Sequence, residues 1–289
     1  MYELTDIKII KYLCQKYGFA FSKSMGQNFI TDPDVPIVMA KEAAENSEGV
    51  LEIGPGFGTL TAALANNTKK VVSIELDRRL EKVLSETLSG FENISFVWED
   101  VLKVDLGKLV EKEFSGMPIS VAANLPYYIT TPIIMNLLES RLPFKKIVVM
   151  IQKEVAERLC AKPGTKDYGA ISISAQYYSI PRIIKHVPSV SFVPAPKVDS
   201  AVISMEILQK PSVNPKDEKL FFSLIKAAFS QRRKTLVNAL SASGIFGNKN
   251  DVLDVVTEAG FGANVRGEEL SVSEFCTLSD IFYDMIKKQ

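Results

Sequence analysis

Polar groups that could bind one nucleoside follow three successive apolar runs of the sequence. The run Val50–Ile53 leads into a glycine turn, Gly54–Gly58, the next run ends at Glu75, and the third is followed by Glu99 and Asp100. Glycines let a ligand approach the backbone, and a carboxylate after the second strand can accept hydrogen bonds from both hydroxyls of a ribose. An acceptor after the third strand can bind the amino group of adenine. Together these groups predict an adenosine site.

The spacing of the glycines argues against a dinucleotide ligand. The third glycine is Gly58, whereas the dinucleotide fingerprint requires a glycine at the next position, where Thr59 stands. The pattern therefore describes an adenosine without a diphosphate, and S-adenosylmethionine is the predicted cofactor. Taken singly, the turn could be only a turn and each acid only a helix cap. Their register along successive strands favours a binding site.

The residues after the fourth apolar run suit methylation of a base amino group. Ile119–Ala123 is followed by Asn124, Leu125, Pro126 and Tyr127. The amino nitrogen gains positive charge as it attacks a methyl group, so acceptors held against its N–H groups stabilise that charge. The Asn124 oxygen and the Leu125 carbonyl could be these acceptors. Pro126 would fix the turn, and Tyr127 could stack on the base. The alternative is a capped turn whose tyrosines pack at a domain boundary.

A second aromatic ring for the base is expected from the segment Phe192–Pro196. Its Phe-x-Pro-x-Pro pattern is rigid and extended, and enzymes that modify bases hold the flipped base between flat groups. The alternative is a proline-rich crossover whose phenylalanine belongs to the core. We assign no general base, because an alkylated amine is acidic enough to release its proton to water.

These groups require a sheet whose strands end at one edge. Strand-like runs alternate with helical patterns, which predicts an α/β fold with a parallel sheet covered by helices on both faces. The predicted strands are Val50–Ile53, Val71–Glu75, Ile94–Trp98, Ile119–Ala123 and Lys146–Ile151, and the predicted helices are Thr59–Ala65, Arg78–Ser89 and Thr131–Glu139. Two later runs, Ile171–Tyr178 and Ala201–Ile207, are expected to pair antiparallel as an addition to the sheet edge.

A polar stretch interrupted by prolines, Gln209–Pro215, predicts a linker. Helical spacing resumes beyond it in Glu218–Phe229 and Lys249–Ala259. We therefore expect residues 1–208 to form an N-terminal arm and a catalytic domain, and residues 209–289 to form a small helical domain.

The charge of the second domain is unevenly distributed. Residues 216–240 contain six basic and two acidic residues, whereas residues 241–289 contain four basic and eight acidic ones. Arg232, Arg233 and Lys234 lie near Phe229, a combination that suits contact with RNA phosphates. Lys23 in the N-terminal arm could add to this basic surface. A solvated helix face is the alternative.

The composition restricts the other classes of function. The 289 residues are 46% hydrophobic, with 34 basic and 34 acidic residues, so no overall field attracts a polyanion. Three distant cysteines form neither a disulfide framework nor a metal site, and the single histidine, His186, with no Gly-x-Ser-x-Gly motif, argues against a serine hydrolase. The sequence has no signal peptide pattern and no run long enough to cross a membrane. We expect a cytoplasmic protein, and nothing requires more than a monomer.

Taken together, the motifs resemble those of the ribosomal RNA adenine N6-dimethyltransferases, in particular the small-subunit enzymes that dimethylate two adjacent adenines near the 3′ end of 16S rRNA. The resemblance covers nearly the whole chain. It rests on Lys23–Phe29, Glu52–Leu60, Glu75–Asp77, Glu99–Asp100, Asn124–Tyr127, Phe192–Ser200 and Phe229–Thr235. It implies a Rossmann-like class I S-adenosylmethionine-dependent methyltransferase with a small C-terminal α-helical domain, acting on 16S rRNA within a small-subunit particle.

The resemblance also implies roles for matched residues. Asn28 and the backbone around Ile30 would contact the cofactor near its sulfonium. Gly54 and Gly56 would line the cofactor, with Gly54 at its methionine portion. Glu75 would bind the ribose and Asp100 the adenine. Asn124 would contact both the cofactor and the target amine, while Tyr127 and Phe192 would sandwich the flipped adenine. Position 30 is isoleucine, where the family often has leucine, which is a conservative change.

Two other functions stay open on the sequence alone. The large-subunit adenine methyltransferases of the macrolide-resistance type share the Asn-x-Pro-Tyr motif, although Leu125 and the Arg232–Lys234 segment favour the small-subunit enzyme. A binding protein that retains the fold without catalysis is the second alternative. The intact Asn124–Tyr127 motif and the acidic cofactor ligands argue against it.

Overall fold

The computed structural model describes residues 2–19 and 28–287 of the chain. The strands within these ranges are β1 Phe29–Ile30, β2 Gly49–Ile53, β3 Lys70–Ile74, β4 Ile94–Val97, β5 Ile119–Asn124, β6 Phe144–Gln152, β7 Ser179–Val187, β8 Phe192–Val193 and β9 Ser200–Ile207. The helices within them are α1 Ile7–Lys16, α2 Asp34–Ala44, α3 Thr59–Ala65, α4 Glu81–Thr87, α5 Leu106–Phe114, α6 Thr130–Glu139, α7 Lys153–Cys160, α8 Ala170–Tyr178, α9 Glu218–Ser230, α10 Leu236–Ala242, α11 Lys249–Glu258 and α12 Val272–Lys287.

Seven strands form one sheet in the order β4-β3-β2-β5-β6-β9-β7. Neighbouring strands from β4 to β6 are parallel, and β9 pairs antiparallel with β6. The chain order reverses between β2 and β5, which is the place where open α/β sheets bind ligands. The predicted Rossmann-like fold is confirmed.

The register of the parallel strands brings their carboxyl ends to one edge. Ile53 is opposite Ile74 on one side and opposite Ala123 on the other. Ile74 is in turn opposite Val97 of β4. The residues that follow these positions therefore leave the sheet side by side, as the sequence predicted.

The strands at the centre of the sheet are apolar because both of their faces are covered. All five residues of β2 are buried, and α2 packs over β2, β5 and β6. Met39 of α2 and Leu64 of α3 share a hydrophobic cluster with Val50 and Val148. This continuous burial explains why short apolar runs, rather than alternating patterns, marked the strands.

The chain folds as two units. The first contains the described residues of Met1–Ala156 together with Pro181–Ile207, and the second contains Glu157–Ile180 together with the described residues of Leu208–Gln289. The sequence suggested a division after residue 208, which is one residue from the boundary between Ile207 and Leu208. The sequence did not indicate that residues 157–180 group with the C-terminal helices.

The prediction of a strand at Ile171–Tyr178 was wrong, because this segment belongs to helix α8. Its alternating Ile-Ser-Ile-Ser start imitates a strand, but Ile173 and Tyr177 lie one helical turn apart and are both buried. The Tyr177 ring packs 5.3 Å from that of Phe221 on α9, so tertiary packing selects the helix.

The strand beside β9 is instead β7, whose Pro181 concealed it in the sequence. Proline cannot donate to a strand ladder and is tolerated at a sheet edge, where β7 lies. The expected strand Ala201–Ile207 corresponds to β9 and pairs antiparallel, as predicted.

Candidate active site

A single cavity at the carboxyl edge of the sheet is lined by most of the residues that the sequence singled out. We call it the edge cavity. It lies within the first unit, and its lining includes Asn28, Ile30, Gly54, Gly56, Glu75, Asp100, Asn124 and Pro126. These residues come from separate parts of the chain, so their assembly depends on the strand order described above.

The glycine turn after β2 supplies one wall of the edge cavity. Gly54 and Gly56 have φ angles of 72° and 58°, in the left-handed region that other residues rarely adopt. A Cβ atom at Gly54 would meet no atom within 4 Å, so the backbone at this position faces open space. The turn therefore leaves room for a ligand to approach the main chain, as the sequence predicted.

Glu75 follows β3 and lines the edge cavity with a carboxylate that is only 8% exposed. Its Oε1 accepts a hydrogen bond from the Asp77 N–H at 2.7 Å. Burial raises the pKa of this carboxyl to about 7, although backbone N–H groups of Asp77, Leu76 and Gly56 oppose the increase. A buried acceptor at this place is suited to the hydroxyl groups of a sugar.

Asp100 stabilises its own turn, and its role in binding adenine stays a prediction. Its Oδ1 accepts a hydrogen bond from the Leu102 N–H at 3.0 Å, which stabilises the turn after β4. Asp100 also lines the edge cavity together with Glu99 and Val101. The carboxylate therefore fixes its own loop while it faces the space where an adenine amino group would lie.

The segment after β5 is held rigidly at the edge cavity. Asn124 donates through Nδ2 to the carbonyl of Asn28 at 3.1 Å, which leaves its carboxamide oxygen as the acceptor. The Leu125 N–H donates to the Met150 carbonyl at 3.1 Å and so extends the pairing of β5 with β6. Pro126 follows with a φ of −60°. These contacts fix the Asn124 amide at the edge cavity, with its oxygen left as an acceptor.

Neither Tyr127 nor Phe192 lines the edge cavity in this structure. The Tyr127 hydroxyl is hydrogen-bonded to Ser200 Oγ at 2.7 Å, and burial raises the pKa of the phenol. Phe192 is only 3% exposed and lies opposite Ile30, because β8 pairs with β1. The sandwich of a base between these two rings stays a prediction, and it requires the Phe192 ring to become accessible.

Some residues that form the edge cavity were not predicted. Tyr128 lines it and is 58% exposed, although the preceding tyrosine was the one predicted to stack on the base. Phe29 and Phe57 contribute apolar walls with ring centroids 4.2 Å apart. These residues lie within or next to the motifs, so the adjacent motif residues were the sequence signal that could have identified them.

Glu52 is a second buried carboxylate, close to Glu75. It belongs to the Glu52–Leu60 motif but had no predicted role. It is fully buried in β2, and Oε2 accepts hydrogen bonds from Thr61 Oγ1, at 2.8 Å, and from Ser73 Oγ. Oε1 has no hydrogen-bond partner among the described residues. Burial raises the pKa of Glu52 to about 7, and the charge of Glu75 adds to the increase.

The basic segment of the second unit forms an exposed turn between α9 and α10, not a helix face. Arg232, Arg233 and Lys234 are all exposed, but Arg232 is also hydrogen-bonded within its own unit. The Arg232 guanidinium donates to the Tyr168 carbonyl at 3.0 Å, to the Lys166 carbonyl and to Glu268 at 3.2 Å. Lys23, predicted to join the basic surface, lies outside the described residues.

Two further observations apply to residues 2–19 and 28–287. They contain no group of three His, Cys, Asp or Glu side chains arranged to hold a metal ion. None of the helices in these ranges is both long enough and apolar enough to cross a bilayer. His186 lies exposed on the edge strand β7.

Comparison with known proteins extends over almost the whole chain. Residues 18–284 match the family model described as "Ribosomal RNA adenine dimethylase". A protein of Alkaliphilus oremlandii named "Ribosomal RNA small subunit methyltransferase A" is 47% identical over 282 residues, which is 97% of this chain and 98% of that protein. A Clostridioides difficile protein of the same name is 45% identical, with 97% of each chain covered.

Two solved structures share the fold of this chain. A dimethyladenosine transferase from Plasmodium falciparum superposes with a TM-score of 0.70 at 27% identity, covering 86% of this chain and 95% of that one. The 23S rRNA methyltransferase ErmE superposes with a TM-score of 0.67 at 25% identity, covering 88% and 99%.

Proposed function

We propose, since this chain belongs to the ribosomal RNA adenine dimethylase family, that it transfers methyl groups from S-adenosylmethionine to N6 of adenines in ribosomal RNA. The targets are two adjacent adenines near the 3′ end of 16S rRNA, and the products are N6,N6-dimethyladenosines. One observation carries this proposal. The amide of Asn124 lies at the same cavity as the glycine turn and Glu75, which supports an amine acceptor beside the proposed adenosine site.

The cofactor fits the chemistry of the edge cavity. S-adenosylmethionine supplies a methyl group that is already activated by its positive sulfonium. The buried Glu75 carboxylate binds the ribose hydroxyls, and Asp100 accepts from the adenine amino group. The open space at Gly54 admits the methionine portion close to the backbone. Asn28 and Ile30 close the side near Asn124.

The residues after β5 hold the target amine for attack. The Asn124 amide nitrogen is bound to the Asn28 carbonyl, so its oxygen is oriented as an acceptor for an N–H of the base. This acceptor stabilises the positive charge that grows on nitrogen, while the rigid turn at Pro126 keeps it aligned. The site must also accept a monomethylated amine, so it cannot require two N–H groups in every transfer.

No residue is proposed as a general base. The Tyr127 phenol is hydrogen-bonded to Ser200 and its pKa is raised by burial, so it remains neutral near pH 7. We propose that Tyr127 and Phe192 contact the base as aromatic surfaces only. Arg233, Lys234 and Lys23 are proposed to contact RNA phosphates, whereas the bonds of Arg232 to its own unit favour a structural role.

The substrate is ribosomal RNA, and we propose that it is presented within a small-subunit particle to one copy of this chain. We propose that the enzyme acts in the cytoplasm. The large-subunit alternative is less well supported. Relatives of 45–48% identity bear the small-subunit name, whereas ErmE is 25% identical.

The reaction can be tested with two RNA substrates. The purified chain is incubated with immature 30S particles or with naked 23S rRNA, together with S-adenosylmethionine labelled in the methyl group. We expect label as dimethyladenosine in 16S rRNA, and a much lower initial rate of labelling with the Asn124→Ala variant. Label in 23S rRNA alone would overturn the proposed substrate, and the absence of label in both would overturn the proposed enzyme.

A further inference from the structure

One carboxylate on α4 is hydrogen-bonded to three side chains of the N-terminal segment. Glu86 accepts from the Tyr2 hydroxyl at 2.5 Å and from Lys16 Nζ at 2.6 and 2.7 Å. The Tyr17 hydroxyl is its third donor. These donors flank α1 at both of its ends, so a single side chain fixes the whole helix against α4. We call these four residues the Glu86 cluster.

The Glu86 cluster is polar and sits at the surface, with the Glu86 side chain 25% exposed. The Lys16 ammonium and the two phenols hold the pKa of Glu86 down at about 2. The carboxylate is therefore ionised at every pH at which the protein would work, and the cluster stays intact across that range.

The apolar side of α1 belongs to the same hydrophobic cluster as the cavity wall. Ile10 and Leu13 are buried together with Leu84 of α4, and this cluster also contains Phe29 and Phe57. Phe57 lies within the glycine turn, and Phe29 adjoins Asn28. Any movement of α1 therefore loosens the packing behind two residues that line the edge cavity.

Aromatic contacts connect the end of the N-terminal segment to this wall. The Phe19 ring lies 5.3 Å from Phe57 and 6.3 Å from Phe29, and both contacts are edge-to-face. The Arg79 guanidinium lies 5.1 Å from the Phe19 ring centroid. Arg79 also binds the Asp77 carboxylate at 2.6 and 2.8 Å. This path leads back to the ribose site, because the Asp77 N–H donates to Glu75.

We propose that Glu86 is a positioning residue for S-adenosylmethionine: by fixing α1 to α4 it holds Phe29 and Phe57 in the places that shape the edge cavity. The inference rests on the proposed function for the identity of the cofactor. Glu86 itself does not line the cavity, so its effect is on cofactor affinity and not on the methyl transfer.

The test measures binding of S-adenosylhomocysteine, the unreactive product of the cofactor, by calorimetry. Glu86→Ala removes the hydrogen bonds from all three donor side chains, and we expect the Kd to increase about tenfold. Tyr17→Phe removes one hydrogen bond without changing the charge, and we expect an increase of about threefold. Tyr17→Phe also keeps the test valid if Glu86→Ala does not fold.

A matched control is available at the opposite edge of the sheet. Glu48 precedes β2 and pairs with Lys69 at 2.8 Å in an exposed ion pair. Glu48→Gln removes an acidic partner as Glu86→Ala does, but far from the edge cavity. We expect its Kd to stay within about twofold of wild type, since exposed pairs contribute little.

Kinetics separates positioning from a general loss of stability. In Glu86→Ala the KM for S-adenosylmethionine should rise in parallel with the Kd, while kcat at saturating cofactor stays within about twofold of wild type. A folded Glu86→Ala variant with the wild-type Kd, or a Glu48→Gln variant weakened equally, would overturn the inference. A wild-type chain that binds the product but methylates no rRNA would defeat the proposed reaction, while the comparison of Kd values still decides the role of Glu86.

Discussion

Cofactor binding should depend on pH through one carboxylate, Glu75. Burial raises its pKa to about 7 in the ligand-free chain. The proposed contact with the ribose hydroxyls requires the ionised carboxylate. At pH 6 only about one carboxylate in ten is ionised, whereas at pH 8 about nine in ten are. The affinity for S-adenosylhomocysteine should therefore be about tenfold weaker at pH 6 than at pH 8, because binding must first release a proton.

The variant Glu75→Gln isolates this effect. A glutamine cannot offer two charged acceptor oxygens, and hydrogen bonds to a charged group contribute about 1.5–3 kcal/mol each. If the loss totals about 2–3 kcal/mol, the Kd at pH 8 rises roughly 30- to 150-fold. The Kd of the variant should also vary much less between pH 6 and pH 8.

Calorimetry at pH 6, 7 and 8, in two buffers of different ionisation enthalpy, measures both the Kd and the protons released. The wild type should release close to one proton per ligand at pH 6 and few at pH 8. A pH-independent Kd in the wild type would refute the reasoning. So would a Glu75→Gln variant that retains the tenfold dependence, since the titrating group would then lie elsewhere, with Glu52 as the first alternative.

Three further predictions follow from the described contacts. Asn124→Ala should lower kcat at saturating cofactor about 10²–10³-fold in a labelled-methyl assay, because the developing charge loses its acceptor; a loss below tenfold would contradict the role of the amide. Glu52 has a folded pKa of about 7 against an ordinary 4.5, so its contribution to stability is present below pH 4.5 and is lost as the pH rises through 7. Glu52→Gln should therefore gain about 2–3 kcal/mol relative to wild type between pH 5 and pH 8 in urea unfolding, and a constant difference would argue against a titrating Glu52. Arg233→Ala should weaken binding to a 16S rRNA fragment and reduce the salt slope by about one, whereas Arg232→Ala should mainly lower the melting temperature of the second unit; the reverse pattern would make Arg232 the RNA contact.

The sheet could be predicted from the sequence because its strands are buried on both faces. Continuous apolar runs such as Ile147–Ile151 are typical of strands that are buried on both faces. The helix α8 could not be predicted in the same way, since its alternation of isoleucine and serine fits either structure. Packing of Tyr177 against α9 decides between them, and the partner is more than forty residues away.

The polar part of the site was predictable for a related reason. Groups after successive parallel strands must meet at one edge, so Glu75, Asp100 and Asn124 could be brought together without coordinates. The aromatic part was not. Phe192 is buried by its pairing with Ile30, and this pairing joins two short strands that carry no periodic signal.

The short antiparallel pair of β1 and β8 connects the cavity lining at Ile30 to Phe192, the proposed contact of the base. Ile30 lines the edge cavity and Phe192 is proposed to meet the acceptor base. The two residues are opposite each other in one antiparallel ladder, which the Thr31 N–H continues by donating to the Ser191 carbonyl at 2.8 Å. A shift of one strand carries the other with it. Any change that bound RNA makes in cofactor affinity through this pair equals the change that bound cofactor makes in RNA affinity, so the order in which they are added affects the rate of binding but not the stability of the ternary complex.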